Sequence, residues 1–122
     1  MVFKESRIIA ADNTGAGVVR IIHLYGGFFR KFISTGGYVL IAIQKRRLTR
    51  QFVTKNLYLA IIVTQNLKYR RKKGYYVLFE ANKLLLLSEQ KKFIGTRIYG
   101  PIALELEISN LTRVLALAKA LC

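Results

Sequence analysis

Apolar residues along this chain come in short runs separated by turn residues. The run at 7–11 gives way to Asp12-Asn13-Thr14-Gly15, that at 18–25 ends at Gly26-Gly27, and that at 28–32 leads to Gly36-Gly37. Runs at 38–43 and 57–64 follow, then a basic segment bounded by Gly74, then runs at 75–81 and 84–87. β-Branched and aromatic residues dominate these runs, which is the pattern of strands. So many short strands predict a mainly β fold, closed or nearly closed into a small barrel, because closure removes exposed strand edges.

The last twenty residues change period. Leu104, Ile108, Leu111, Leu115 and Ala118 recur at helical spacing, and Glu105 and Glu107 sit near the start, where negative charge suits a helix dipole. Ser109-Asn110 offers a cap in the middle of the stripe, so two short C-terminal helices are expected from about residue 103. Their apolar stripe is expected to pack on the barrel. No repeat and no linker-like stretch divides the chain, so residues 1–122 are read as one domain, long enough to bury roughly two thirds of its unfolded surface.

Charge changes the picture more than composition does. Apolar residues make up 52% of the chain and the mean hydropathy is +0.27, yet 21 Lys and Arg face 6 Asp and Glu, a net charge of +15. That is a folded body in a cationic coat, and an anionic partner relieves its self-repulsion. The apolar runs at 38–43 and 57–63 fall well short of the roughly 18 residues of a spanning helix, so no membrane insertion is expected. The first residues carry neither a secretory apolar core nor an Arg- and Ser-rich transit pattern. Cys122 is the only cysteine, which removes intrachain disulfides and cysteine metal sites.

Catalytic parts are scarce. One His (His23), one Asp (Asp12) and a terminal Cys cannot assemble a triad or a His/Cys metal site, and no cofactor is implied. Asp12-Asn13-Thr14-Gly15-Ala16-Gly17 lacks the ending of a phosphate loop and is explained by turn chemistry. Asn110-Leu111-Thr112 matches a glycosylation sequon, discounted without a secretory context. The cations, by contrast, are grouped. Lys68, Tyr69, Arg70, Arg71, Lys72 and Lys73 put five cations in six residues of an expected hairpin loop; Lys45, Arg46, Arg47 and Arg50 form a second group; Phe28-Phe29-Arg30-Lys31 mixes aromatics with cations. Such groups suit phosphate pairing beside base stacking, with Tyr69 as a candidate stack. The competing readings are a cationic peripheral membrane protein and a small RNA-acting enzyme using His23. The first lacks a basic amphipathic helix, and the second lacks a carboxylate cluster.

Three stretches in order carry a resemblance. AADNTGA at 10–16, Ala60-Ile61-Ile62-Val63 with Gly74 and Phe79-x-x-Asn82, and IGTRIYGP at 94–101 resemble the universal large-subunit ribosomal protein fourteen family over almost the whole chain. The resemblance implies a five-stranded β-barrel with a β-hairpin extension and short C-terminal helices. It implies binding to large-subunit rRNA and neighbouring large-subunit proteins, and a place at a bridge to small-subunit rRNA. By the same resemblance, Thr96 and Arg97 map to a subunit-interface or factor surface.

The chain departs from the family pattern at Gly17 and Val18, at Gly37, at Lys73 and over residues 50–56. Ile, Leu, Phe, Tyr and Lys are heavy and acids rare, the drift of proteins from A+T-rich genes. With the absent transit pattern, this points to a member in the mitochondrial matrix, the alternative being a plastid or bacterial cytoplasmic one.

Overall fold

The computed structural model describes residues 2–27, 31–46, 56–66, 68–95 and 98–103. Nine strands run through them: β1 (Val2–Phe3), β2 (Arg7–Ala10), β3 (Ala16–Leu24), β4 (Phe32–Ile33), β5 (Tyr38–Arg46), β6 (Leu57–Thr64), β7 (Lys68–Arg70), β8 (Tyr76–Leu78) and β9 (Lys83–Leu87). Strands β2, β3, β5, β6 and β9 close into a barrel, in that order. Its pairings are antiparallel except at the seam, where β9 runs parallel to β2. A ribbon β1–β4 and a hairpin β7–β8 stand beside it. The mainly β, barrel-forming reading therefore holds for the described residues. The expected C-terminal helices lie outside those residues.

Burial explains why the strands read as they do. β2 alternates exposed and buried positions, with Ile8 and Ala10 turned inward. From Ala60 onward in β6 and from Leu84 onward in β9 every residue is buried, because both faces are covered. One face fills the barrel: Ile62, Leu84 and Leu86 join Val19, Ile21, Val39 and Ile41 in the main core. The other face packs outside it, where Ile61, Val63, Leu85 and Leu87 meet Phe93, Ile98 and Ile102. Residues 93–95 and 98–103 thus lie as a strap across the outside of β6 and β9.

The strap and the seam are joined at Asp12. Only Ile9↔Lys83 and Ala10↔Leu84 pair across the seam. The Ala11 N–H still donates to the Leu84 carbonyl at 2.9 Å, but the Ala11 carbonyl accepts from Tyr99 of the strap at 2.6 Å. The Leu86 N–H, which a parallel ladder would send to Ala11, donates instead to Asp12 Oδ2 at 3.0 Å. Thr14 Oγ1 donates to the other carboxylate oxygen at 2.7 Å. Asp12 also bridges Ile98 through its backbone. Gly95 lies so close to this turn that a Cβ there would stand 2.9 Å from Asn13 Oδ1 and 3.0 Å from Asp12 Cβ. The motifs at 10–16 and 94–101 are therefore two halves of one contact.

Burial pushes the Asp12 carboxyl above its ordinary value, against the hydrogen bonds from Thr14 and Leu86 that favour the charged form. A raised folded pKa means that the folded state holds the proton longer than the unfolded chain. Asp12 therefore subtracts stability as pH rises from 3.8 through its folded pKa. Asp12→Asn should flatten this slope, so the stability difference from wild type, measured by urea unfolding from acid to neutral pH, should vary across that window. A constant difference would count against the buried carboxyl. Asp12→Ala strands the Leu86 N–H and should cost about 3 kcal/mol.

Candidate nucleic-acid interface

The basic hairpin grows from the neck between β6 and β9. Two side chains close that neck: Thr64 Oγ1 donates to the Ala81 carbonyl at 3.0 Å, and Asn82 Oδ1 accepts from the Asn66 N–H at 2.8 Å. Part of the segment expected as loop is strand. Lys68 pairs with Leu78, Tyr69 with Val77 and Arg70 with Tyr76. Residues 71–75 make the turn, with Arg71 N–H donating to the Tyr75 carbonyl at 2.9 Å and Gly74 N–H to the Arg71 carbonyl at 3.1 Å. Gly74 takes φ +89°, a conformation that residues with a Cβ rarely adopt, so a glycine fits this corner.

Strand alternation gives the hairpin two faces. On the inner one, Tyr69 is half-buried, its ring edge-on to Phe79 at 5.8 Å and its hydroxyl hydrogen bonded to Thr35. Phe79 is itself buried. On the outer face, Lys68 and Arg70 are exposed beside Tyr76 and Leu78, which are 62% and 57% exposed. Lys72 and Lys73 are exposed at the tip, and a shallow hollow of about 310 Å³ is lined by Arg70, Arg71, Lys72 and Gly74. The aromatics open to solvent here are thus Tyr75 and Tyr76 rather than Tyr69. Both directly follow Gly74, so the signal lies in the sequence, just beyond the charge run.

The other candidate cations are placed differently. Lys45 and Arg46 are exposed at the end of β5 beside the Asp12 turn, with Arg46 Nη2 donating to Asn56 Oδ1 at 2.7 Å. The hairpin leaves from the C-terminal end of β6, which pairs antiparallel with β5, so it lies at the opposite end of the barrel. Lys31 is exposed just before β4. Arg30, Arg47, Arg50, Thr96 and Arg97 lie outside the described residues.

Among the described residues no constellation of catalytic type accompanies these cations. Among the described residues no three His, Cys, Asp or Glu side chains stand together to hold a metal ion, and no helix is long and apolar enough to cross a membrane. His23 is exposed on β3 with its ring edge-on to Tyr25 at 4.9 Å.

Tyr69→Phe removes the tie to Thr35 while keeping the ring on Phe79. Hydrogen exchange at 68–78 should quicken, with a loss of about 1 kcal/mol in global stability. Unchanged exchange in the hairpin would show that Tyr69 does not hold it to the barrel.

The closed five-stranded barrel and the β7–β8 hairpin match the barrel and hairpin extension that the resemblance implies. The family model described as ribosomal protein L14p/L23e matches residues 1–122. That match extends over the whole chain, and the chain belongs to the ribosomal protein L14p/L23e family.

Proposed function

We propose that this protein is a structural constituent of the large ribosomal subunit that grips large-subunit rRNA through its β7–β8 hairpin and meets the small subunit near Thr96 and Arg97. The observation that carries the reading is the outer hairpin face, where Lys68 and Arg70 stand exposed beside Tyr76 on a neck fixed by Thr64 and Asn82. Cations held in fixed register pair with phosphates at low ordering cost, and an exposed ring beside them accepts a base or sugar face. Each phosphate neutralised releases counterions, so the grip is strong and salt-sensitive.

Lys45 and Arg46, with Arg47 and Arg50 following in sequence, make a second contact at the other end of the barrel. Thr96 and Arg97 are bracketed by two positioned neighbours, Gly95 against Asn13 and Ile98 bridged to Asp12. Fixed flanks favour presentation of that dipeptide to small-subunit rRNA, to neighbouring proteins or to factors that govern subunit joining. The A+T-type composition supports a place in the mitochondrial ribosome.

Double reversal, Arg70→Glu with Arg71→Glu, tests the hairpin. On sucrose gradients wild-type protein should sediment with large subunits and whole ribosomes, and the variant should shift towards the top. Full incorporation of the variant would remove the hairpin from the RNA contact. Gradients of mitochondrial and cytosolic lysates run side by side test the compartment, since a cytosolic ribosomal peak alone contradicts the mitochondrial placement.

A further inference from the structure

The ribbon β1–β4 carries a feature that the hairpin reading does not use. Its register is Val2↔Ile33 and Phe3↔Phe32. The first pair faces inward: Val2 and Ile33 are buried in the main core, and Gln65 Nε2 donates to the Ile33 carbonyl at 2.7 Å. Alternation then turns Phe3 and Phe32 outward, 51% and 47% exposed, with their rings edge-to-face at 6.5 Å and 67°. The strands run antiparallel, so Lys4 and Lys31 lie one residue beyond the phenyl pair at the same end of the ribbon, and both are exposed. Lys4 sits in the turn closed by Ser6 N–H on the Phe3 carbonyl at 3.4 Å, where Glu5 takes φ 68°. The carboxylate of Glu5 is paired with Arg20.

We propose that Phe3 and Phe32, with Lys4 and Lys31, form a stacking site for one unpaired nucleobase of RNA. Solvent-exposed rings fixed at a ribbon end offer a flat apolar surface, and every base has a face to lay on it. Two lysines beyond the rings complement the phosphates that flank such a base, and a chain of net charge +15 favours an anionic partner over an apolar one. Rings inclined at 67° cannot both lie parallel to one base, so a single base stacks on one ring while the other supports that ring edge-on. Bases inside a duplex are already stacked and paired, which restricts the ligand to a loop, bulge or single strand.

This site rests on the rRNA-binding reading, and its test separates the two. Labelled single-stranded RNA and a duplex of equal length are titrated with the whole chain, and anisotropy is read at several salt concentrations. Phe3→Leu and Phe32→Leu should each weaken single-strand binding by about 5- to 100-fold. The double variant should lose little more than either alone, because one base is involved. Duplex affinity and the salt slope should stay unchanged. Phe3→Tyr with Phe32→Tyr keeps both rings and should keep wild-type affinity, which separates stacking from any folding defect of the leucine variants. Lys4→Ala with Lys31→Ala should lower the salt slope for single strands by about 1.4.

Equal losses on single strand and duplex, or none on either, overturn the stacking site alone. So does loss of affinity in the tyrosine variants. Leucine variants that bind RNA normally yet drop out of large subunits reassign the rings to a protein neighbour. A wild-type chain that binds neither RNA overturns this site together with the ribosomal reading.

Discussion

The barrel closes through a seam that its backbone alone does not complete. β2 leaves the sheet after two pairings with β9, and the next carbonyl in line, that of Ala11, is engaged by Tyr99 of the strap. A buried Leu86 N–H without an acceptor would cost more than an ordinary hydrogen bond returns. Asp12 supplies the acceptor from its side chain. One carboxylate thus lets a single point of the chain close the barrel and hold the strap. Its burial is unfavourable to the charge, which its raised pKa records, and the bonds from Leu86 and Thr14 offset part of that cost.

Rigidity at this seam reaches the candidate interface through β6 and β9. Both strands are packed on two faces, by the barrel interior and by the strap. The basic hairpin leaves from one of them and returns into the other, so the most buried strands of the fold carry its most charged element. Thr64 and Asn82 fix the neck, and Tyr69 ties the side. The backbone beneath these cations has little freedom left to lose on binding, and the cost that remains is that of ordering their exposed side chains.

The sequence made some of this legible and hid the rest for physical reasons. The run at 57–64 reads as a buried strand because it is apolar at successive positions, and β6 is covered on both faces. The basic run 68–73 reads as loop because charges are poor strand formers, whereas the half-buried Tyr69 makes its first half a strand. The turn at 12–15 and the stretch at 94–101 are each visible as glycine-bearing punctuation. Nothing local reveals that Gly95 packs on Asn13, since that contact joins residues 82 positions apart. β1 and β4 are two residues each, too short to show any period, so the pairing of Phe3 with Phe32 emerges only from the fold. The charge clusters were plain, but the separation of Lys45 and Arg46 from the hairpin depends on strand direction.

That separation has an electrostatic consequence. β5 spans nine residues between the two ends of the barrel, an extended length of about 26 Å. Ions at physiological strength screen exposed charges over about 8 Å, so the two cationic ends do not feel each other's field. Neither end raises the local potential at the other, and neither compensates when the other is neutralised. The barrel then acts as an insulating spacer, and a single polyanion gains from both ends only where its own path brings phosphate to each.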